Sequence, residues 1–511
     1  MPVDIESPSI AYVALLPLLL VFGTAAVGVL VEAFVPAVHR RIAQVVVATV
    51  GLLGALAAVI NLAGETRLVV SDAVAVDGPT LFLQGTLCVV GLASVLLLSE
   101  NSLDSSGGDI VSNAAALPGS RDDLLLAEDQ GVQTEVYPLA MFALGGMLLF
   151  PAANNLILSF IALEVLSLPL YLMAGLARRR RLLSQEAAVK YFLLGAFSSA
   201  FFLYGVALLY GYAGTVDLGG IAAATGQADR NDLLLYVGLA MLTVGLLFKV
   251  GAVPFQAWTP DVYQGAPTAV TAFMAAATKI AAFGALLRVL YVAVPDVKWD
   301  WRPMMWGVAI LTMVIGALLA VTQNDIKRML AYSSVAHTGF LLVGVIALNP
   351  EGLQGTLFYL LTYGFTTVAT FAIVSLVRDG AGEATHLSQW AGLGRKSPVV
   401  AGTFAFLLFA LAGIPLTSGF VAKFAVFQSA FDDAVALVIV GVVSSAVTAF
   451  FYARVVVLMF FTDPPEDGPT VAVPSGYTAG AIAIGVGVTV VLGIVPQPVL
   501  DLADQAALFA R

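Results

Sequence analysis

Long apolar runs alternate with short polar segments along the chain, and this pattern predicts a bundle of membrane-spanning helices. A helix needs about 20 apolar residues to cross a bilayer. In chain order the apolar runs are 9–33, 42–62, 79–98, 136–152, 155–176, 186–212, 232–250, 268–294, 304–322, 327–347, 352–377, 400–413 continuing through 419–431, 434–461 and 472–495. The longest polar stretch, 99–135, is rich in Ser, Gly and Asp and is typical of a loop. We therefore expect an all-α, polytopic membrane protein with about fourteen transmembrane helices.

Two of the apolar runs are interrupted by Gly and Pro in the same way. The first interruption is Lys249-Val-Gly-Ala-Val-Pro254, and the second is Ala412-Gly-Ile-Pro415. Proline removes a backbone donor and clashes with the preceding turn, and in lipid the freed carbonyls must be satisfied by protein or water. Broken helices of this kind therefore tend to line ion paths.

The distance between the two breaks predicts an internal repeat. Pro254 and Pro415 are 161 residues apart, which corresponds to five helices. An odd number of helices turns the second copy upside down, so helices four to eight are expected to match helices nine to thirteen as an inverted repeat. The expected parts are an N-terminal three-helix segment with a loop (1–134), the first repeat (135–295), the second repeat (296–462) and a C-terminal helix (463–511).

The distribution of Lys and Arg between the loops predicts the orientation in the membrane. Loops on one side hold twelve positive residues, namely Arg40, Arg41, Arg121, Arg178, Arg179, Arg180, Arg181, Lys327, Arg328, Arg378, Arg395 and Lys396. Loops on the other side hold five, namely Arg67, Arg230, Lys298, Arg302 and Arg511. Positive loops stay in the cytoplasm, so the first side is expected to be cytoplasmic. An even number of helices then places both termini outside.

Composition supports a membrane protein and argues against several functions. Hydrophobic residues make up 60% of the 511 residues and charged residues only 11%, too few to cover a soluble surface. With a net charge of -10 and no basic patch, the chain is not expected to bind nucleic acid. The acidic start MPVDIESPSI lacks Arg and a positive region, which argues against a mitochondrial transit peptide and a cleaved signal peptide.

The cysteine and histidine content gives no ligand set for a redox cofactor. Cys88 is the single cysteine, so neither a four-thiolate cluster nor a zinc ribbon is expected. Of His39, His337 and His386, only His337 falls within a predicted span, which argues against a haem held by two histidines. The chain also lacks a GxGxxG strand–helix unit and a Walker loop. A partner or an ion gradient is therefore expected to drive any energetic work.

Charged residues inside the predicted spans are the candidates for function. The basic ones are Lys190, Lys249, Lys279, Arg288, Lys423 and Arg454, and Glu164 lies in the middle of the fifth helix. A charge at the bilayer centre costs roughly 2.5–3.5 kcal/mol. Lys279 lies about 17 Å from the start of its helix at about 1.5 Å per residue, too deep to reach the interface by extending its side chain. For Lys279 and Glu164 we therefore favour a function over a structural role.

The remaining charges differ in how strongly they indicate function. Lys249 and Lys423 flank the two breaks, which favours function. Lys190 follows Glu186 by four residues near a helix start, so snorkelling or an ion pair explains it equally well. Arg288 and Arg454 lie toward helix ends, and Arg hardly ever deprotonates, so we interpret both as structural or as fixed counter-charges.

Proton transfer is the chemistry that these residue types suggest. Removal from water lowers the pKa of a lysine, so a buried lysine can exchange a proton near neutral pH. A neighbouring carboxylate adds a switch, because it holds the lysine protonated until the two separate. A histidine titrates near neutral pH, and His337 lies between Lys279 and Lys423 in chain order, so we expect a relay role.

Three segments resemble the antiporter-like membrane subunits of respiratory complex I, the bacterial NADH-quinone oxidoreductase. They are KVGAVPFQAWTPDVYQGAPT (249–268), KRMLAYSSVAHTGF (327–340) and AGIPLTSGFVAKF (412–424). The resemblance extends over nearly the whole chain. Within the family, DVYQGAPT and VKYFLLGAFSSAFFLYG (189–205) are similar to one branch in particular, and Lys423 agrees with it, because another branch resembles this pattern but carries Glu there.

The resemblance implies two inverted five-helix half-channels joined by a central line of charge. Carried onto this chain, it makes Glu164 and Lys249 the modulating pair of the first half-channel. Lys279 and His337 become the central connection and Lys423 the terminal carrier, with Lys190 as a further candidate. It also implies a multi-pass protein of the bacterial plasma membrane, with other membrane subunits of the same complex as partners. NADH, FMN, iron–sulfur clusters and quinone are expected in partner subunits, and no cofactor or metal in this chain.

One residue departs from the resemblance, and two other functions fit the same core. Relatives usually carry His where this chain has Gln256, and Gln cannot titrate, so either water relays the proton there or the position is structural. A subunit of a multisubunit cation/proton antiporter would have a similar core, although the DVYQGAPT variant and the segment around Lys190 argue against it. A membrane subunit of a hydrogenase-type complex differs only in its electron donor.

Overall fold

The protein is a bundle of long helices, described here from a computed structural model over residues 10–103, 110, 120–121, 133–225, 227, 232–379, 382–465 and 468–510. Within these residues, the helices of the first half are α1 (Tyr12–Phe34), α2 (Ala37–Asn61), α3 (Gly78–Leu98), α4 (Val136–Leu149), α5 (Leu156–Ala174), α6 (Arg181–Ala213), α7 (Leu218–Thr225), α8 (Asp232–Val250), α9 (Trp258–Gly265) and α10 (Thr268–Ala293). The helices of the second half are α11 (Lys298–Val321), α12 (Ile326–Ala347), α13 (Pro350–Leu376), α14 (Leu393–Lys396), α15 (Pro398–Ala412), α16 (Ser418–Ser429), α17 (Val435–Phe461), α18 (Gly476–Ile494) and α19 (Gln497–Gln505).

The helix count confirms the expected polytopic membrane fold. In the described part of the chain, 12 helices are long and apolar enough to cross a membrane, and α4 and α15 are shorter apolar helices. Together they account for all fourteen predicted spans. Several helices begin with a polar cap, because the side chain accepts a bond from a backbone N–H that the helix leaves free. Asp77, Asn155, Asp325 and Asn349 cap α3, α5, α12 and α13 in this way.

The inverted repeat is visible in how the helices pack. In the first copy α4 contacts α5, α5 contacts α6, and α6 contacts both halves of the broken helix, α8 and α9. In the second copy α11 contacts α12, α12 contacts α13, and α13 contacts both halves α15 and α16. The last helix of each copy, α10 or α17, packs against the first half of its broken helix. Each element of one copy thus has a counterpart with the same neighbours in the other.

Contacts between loops sort the two ends of the bundle as the alternating helices require. At one end, Arg180 bonds Glu383, Gln264 bonds Asp325, and Ser475 bonds Glu100. We call this end the arginine-rich face, because it includes Arg178–Arg181. At the other end, the opposite face, Asn154 bonds Asp72, Asn349 bonds Ser429, and Asp77 bonds Ala510. Two of the counted positive residues, Arg230 and Arg511, lie outside the described residues.

Short strands close both ends of the bundle. On the opposite face, β1 (Arg67–Val69) and β2 (Val74–Val76) form an antiparallel hairpin in which Arg67 pairs with Val76. On the arginine-rich face, β3 (Val377–Asp379) lies between β4 (Gly382–Glu383) and β5 (Thr470–Val471) in an antiparallel sheet. These strands, together with the short helices α7, α14 and α19, are elements that the hydrophobic pattern did not predict.

The helices at the centre of the bundle carry the candidate residues. Helix α10 is completely buried, and α12 and α13 are almost completely buried. By contrast, α1, α2, α6 and α17 expose many large apolar side chains at the surface that faces lipid. A π-helical turn, Met274–Thr278, interrupts α10 immediately before Lys279. Such turns occur frequently at functional sites.

Candidate functional site

The first break separates α8 from α9, and protein groups satisfy the carbonyls that it frees. The α8 helix ends at Val250, and Gly251 follows with a φ of 75°, a conformation that favours glycine. The Val250 carbonyl accepts a hydrogen bond from Thr338 Oγ1 at 2.8 Å. The Phe248 carbonyl accepts one from Trp258 Nε1 at 2.9 Å. The break therefore meets the requirement that backbone groups inside a membrane be paired.

Lys249 is buried at the end of α8 among hydroxyl groups and aromatic rings. Its Nζ donates to Ser167 Oγ at 2.7 Å and to Tyr191 OH at 3.5 Å. The ammonium also lies 5.7 Å from the ring centre of Tyr171 and 5.3 Å from that of Tyr191, which is cation–π distance. Only 3% of Lys249 is exposed. The lysine is thus held by neutral groups.

Glu164 lies close to Lys249 without forming an ion pair with it. Glu164 is one turn before Ser167 on α5, and one of its oxygens, Oε1, is buried with no hydrogen-bond partner among the described residues. The carboxylate is near enough to interact electrostatically with Lys249. Ser167, rather than Glu164, accepts the lysine's hydrogen bond. The direct Glu164–Lys249 contact that a modulating pair suggests is therefore not formed in this conformation.

Lys279 lies at the centre of the bundle, where α10 meets α12. Its Nζ donates to the Ser334 carbonyl at 2.5 Å and to Thr338 Oγ1 at 2.7 Å. It also lies 5.1 Å from the ring centre of Tyr363. Ser334 and Thr338 are four residues apart on α12, so they lie on one face of that helix. A hydroxyl and a freed carbonyl thus take the place that a carboxylate would fill in an ion pair.

Two features connect Lys279 to the first break. The Thr338 hydroxyl accepts from Lys279 and donates to the Val250 carbonyl, next to Lys249. A small enclosed cavity also lies between the two lysines and is lined by both, together with Thr259 and Tyr263. Its volume is about 10 Å³, which is about the space that one water molecule needs. A proton thus has a short polar route between Lys249 and Lys279.

His337 occupies the next position along this line, toward the second repeat. Its Nδ1 is 2.7 Å from Tyr359 OH, and its Nε2 is 3.4 Å from Tyr452 OH. The Tyr452 hydroxyl is in turn hydrogen-bonded to Ser333, one turn before His337. Both Lys279 and Lys423 are near enough to interact electrostatically with the histidine. The ring therefore stands between two lysines, as their order in the chain suggested.

Lys423 lies at the second break and reaches across it. It stands on α16, and its Nζ donates to the Ala412 carbonyl at the end of α15 at 2.8 Å and to Ser445 Oγ at 2.9 Å. Gly413, with a φ of 84°, leaves room for the side chain, because a Cβ there would lie 2.9 Å from Lys423 Cδ. The Phe340 ring, 4.8 Å from Nζ, separates the lysine from His337.

Lys190 lies in a network of ion pairs at the arginine-rich face. Its Nζ is 2.6 Å from Glu186 and 2.7 Å from Asp261, and Arg328 contacts the other oxygen of Asp261 at 2.7 Å. The Lys190 side chain is 40% exposed. The pairing with Glu186 that the sequence allowed is present, and Asp261 is a partner that the sequence did not indicate. Lys190 is thus separate from the buried line.

A second buried lysine was not predicted as a site residue. Lys327 was assigned to a loop, but it begins α12 with only 2% of its surface exposed. Its Nζ donates to the Ala266 carbonyl at 2.8 Å and lies 3.5 Å from Glu383. Burial alone would raise the pKa of Glu383, but Lys327, with Arg378 and Arg180, holds it below its usual value. The loop assignment of Lys327 was wrong because β3 and β4 fold over the start of α12.

Arg288 has a structural environment, as we interpreted it. Its guanidinium makes a fully buried ion pair with Asp77 at 2.7 Å and donates from Nε to the Pro151 carbonyl at 2.6 Å. The ring of Phe509 lies 4.9 Å away, and the Ala510 N–H donates to Asp77. Arg454 instead reaches the Val321 carbonyl at the bundle surface.

The remaining candidates carry no ligand set for a metal. No group of three His, Cys, Asp or Glu side chains within the described ranges is placed to hold a metal ion. Cys88 is buried and unpaired. Gln256 lies inside the first break, and its Oε1 is buried without a hydrogen-bond partner among the described groups.

Comparisons with known proteins agree with this architecture. The family model described as "NADH:quinone oxidoreductase/Mrp antiporter, TM" matches residues 153–448. NADH-quinone oxidoreductase subunit N of Parafrankia sp. (strain EAN1pec) is 63% identical over 98% of this chain and 96% of its own length, and subunit N of Rhodococcus opacus (strain B4) is 62% identical over 99% and 98%. A chain of respiratory complex I from Thermus thermophilus with bound Aureothin is 33% identical, with a TM-score of 0.76 over 96% of this chain and 99% of its own.

Proposed function

Because the chain belongs to the subunit N family of NADH-quinone oxidoreductase, we propose that it moves protons through the buried line of Glu164, Lys249, Lys279, His337 and Lys423. Electron transfer from NADH to quinone in other subunits of the complex drives this movement. Partner subunits hold NADH, FMN, the iron–sulfur clusters and quinone, while this chain contributes the proton path. The neighbouring membrane subunits and the lipid bilayer are its partners.

One observation carries the proposal: a line of hydrogen-bonded polar groups runs through the otherwise apolar centre of the bundle. It begins at Ser167 and Lys249, continues through Thr338 to Lys279, and reaches His337 on the same helix. A charged group inside a membrane is expensive and marks an ion pathway by default. Three lysines in one line, each held by hydroxyls and carbonyls rather than by carboxylates, suit a group that binds and releases a proton.

The positions along the line suggest a role for each group. Glu164 adjusts how firmly Lys249 holds its proton, because its charge acts on Lys249 across one helix turn. Lys279 receives the proton through the Thr338 hydroxyl or through one water in the cavity. His337 and its two tyrosines pass it toward Lys423 at the second break. Lys190 lies outside the line, and its ion pairs hold the arginine-rich end of α6 against α9 and α12.

Replacing Lys279 tests the proposal most directly. Lys279→Met keeps the length of the side chain but removes its proton. In sealed vesicles, the assembled complex should lose proton uptake by about 100-fold or more, the lower end of what a positioned proton-transfer group contributes. NADH oxidation should fall with it, because coupling is tight. Lys298→Met, at the start of α11 on the opposite face, is the matched control. An assembled Lys279→Met complex that pumps and oxidises at wild-type rates would exclude the proposal.

The positive loops also support an orientation, in which the arginine-rich face lies in the cytoplasm of a bacterial plasma membrane and both termini lie outside. In a Cys88→Ala background, a maleimide that cannot cross the membrane should label Asp432→Cys from outside but not Arg179→Cys. Both positions are exposed, so access alone decides the result. Labelling of position 179 and protection of position 432 would reverse the orientation.

A further inference from the structure

A large apolar cleft opens on the side of the bundle, far from the line of lysines. It has a volume of about 790 Å³ and lies between α2, α3, α13, α18 and α19. Its walls are apolar and include Leu56, Phe82, Val89, Leu361 and Leu492. Nothing in the proton path uses this space. A cleft of this size suits an organic ligand, since ligand sites usually measure about 300–1,000 Å³.

The cleft opens toward the bilayer rather than toward water alone. Ile60 and Val491 line it and are nevertheless 66% and 58% exposed. They stand on α2 and α18, so the gap between these two helices forms the lateral opening. Apolar side chains exposed at that depth face lipid hydrocarbon. A hydrocarbon chain can therefore enter from the side without crossing the headgroup region.

The depth of the cleft corresponds to one leaflet. It extends along α3 from Gly78, at the opposite face, to Val89. Eleven residues of helix span about 16 Å at about 1.5 Å per residue. That is about half of the roughly 30 Å hydrocarbon core. A single acyl chain of a lipid in the leaflet at the opposite face matches this depth.

Polar groups surround the mouth where a headgroup would lie. Glu65 and Arg67, 3.4 Å apart, stand on one side of the mouth. On the other side lies α19, a short amphipathic helix of the kind that rests in a membrane interface. Its Val499 and Leu502 line the cleft, whereas Asp501 and Asp504 are exposed. Three carboxylates and one guanidinium complement a headgroup that carries both an ammonium and a phosphate.

We propose that this cleft binds one acyl chain of an amine-bearing zwitterionic phospholipid, with its headgroup between Arg67 and the carboxylates of α19. The lipid fills the space between the N-terminal helices and α18, which the protein's own side chains leave open. It is a structural ligand, and it takes no part in moving protons.

Glycine 487 provides a way to fill the cleft. Gly487 lines it on α18, and a Cβ at this position would meet nothing within 4 Å. Gly487→Phe therefore places a ring in the cleft without a clash at the backbone. Gly307→Phe is the matched control, since Gly307 is also helical and open but lies on α11, away from the cleft. NADH oxidation by both variant complexes should stay at the wild-type level, which shows that they assemble.

The test uses the assembled complex in vesicles that contain phosphatidylethanolamine with a photoreactive group at the end of one acyl chain. Crosslinks should map to the deep end of the cleft, near Val89, Leu361 and Phe365. Gly487→Phe should reduce them at least fivefold, and Gly307→Phe should leave them unchanged. A phosphatidylglycerol probe with the same chain should crosslink several-fold less.

Three results would overturn the proposal. Equal crosslinking in Gly487→Phe and the wild-type complex would place the lipid elsewhere. Equal crosslinking by phosphatidylglycerol would remove the headgroup assignment. Crosslinking of the cleft to a neighbouring subunit, with no lipid label, would show that protein fills it. Should Gly487→Phe fail to assemble, Gly487→Leu fills less of the cleft and gives the same comparison.

Discussion

The two broken helices arise from the same residues, Gly and Pro, yet they build different sites. At the first break, Lys249 ends the first half-helix, and its ammonium points away from the break to Ser167 and Tyr191. At the second break, Lys423 stands on the second half-helix and reaches back to the Ala412 carbonyl that the break frees. One lysine adjoins its break, while the other closes it.

The surroundings of the two lysines differ as well. Glu164 acts electrostatically on Lys249, whereas no carboxylate in the described part of the chain lies within ion-pair distance of Lys423. At the first break, a neighbouring helix supplies the partner of the freed carbonyl, through Thr338. At the second break, the lysine itself is that partner. The comparison teaches that a shared backbone device fixes where a charge can lie, while the half-helix that carries the charge decides what controls it.

Removing the carboxylate should produce the largest difference between the two breaks. Opposite charges about 8 Å apart, at an effective dielectric of about 20, attract each other by about 2 kcal/mol. Glu164→Gln should therefore reduce proton uptake by the assembled complex by about tenfold, whereas Glu164→Asp, which keeps the charge, should reduce it less. The measurement is initial proton uptake driven by NADH in sealed vesicles.

Glu351→Gln is the control for this experiment, because Glu351 is an exposed carboxylate in the first turn of α13. It should pump at the wild-type rate. If Glu164→Gln also pumps at that rate, Lys249 is no more controlled by a carboxylate than Lys423, and the difference between the breaks disappears.

The break glycines distinguish the two sites by their contacts. Gly251 and Gly413 both have positive φ, so alanine strains each by about 1–2 kcal/mol. A Cβ at Gly413 would press on Lys423, whereas one at Gly251 would press on the Thr259 hydroxyl. Gly413→Ala should therefore lower proton uptake about fivefold, and Gly251→Ala less.

Gly214→Ala separates strain from contact in this series. Gly214 has a φ of 75°, the same as Gly251, and a Cβ there would meet nothing within 4 Å. Its complex should show the loss of thermal stability that strain alone causes, with normal pumping. Equal pumping by the Gly413 and Gly214 variants would mean that the position of Lys423 over the break does not matter.

The hydroxyl partners should give the smallest effects. A hydrogen bond to a charged group contributes about 1.5–3 kcal/mol. Ser167→Ala removes the closest partner of Lys249, whereas Ser445→Ala leaves Lys423 with the Ala412 carbonyl. We expect proton uptake to fall about threefold for Ser167→Ala and less than twofold for Ser445→Ala. The reverse order would show that Lys423 depends on its hydroxyl rather than on the backbone.

The sequence predicted the helices and the breaks because their signals are local. Fourteen apolar runs and two Gly–Pro interruptions are each contained within about 30 residues, and the structure confirms both. The polar partners of the lysines were harder to predict. Ser334 and Thr338 share a face of α12 with a spacing of four, which was a usable signal. The partners of Lys249 and Lys327 lie 82 and 56 residues away in the chain, and no local pattern connects such pairs.

Two predictions failed for related reasons. Lys327 follows a helix cap, Asp325, so it looked like a loop residue, but the distant strands β3 and β4 bury it. Glu164 and Lys249 were expected to meet, and a shift of one helix turn gives the contact to Ser167 instead. Hydrophobic pattern determines which face of a helix is buried. It does not determine which of several buried polar groups lies opposite a lysine.

The buried pair of Asp77 and Arg288 has a consequence for how the protein is made. Asp77 precedes Arg288 by 211 residues and Ala510 by 433. A ribosome that adds about 5–20 residues per second delivers Arg288 about 10–40 s after Asp77, and Ala510 about 20–90 s after it. During this interval the carboxylate has neither partner and must stay in contact with water. The end of the bundle at Asp77 therefore remains open while the rest of the chain is inserted, and it closes only when the segment around Ala510 arrives.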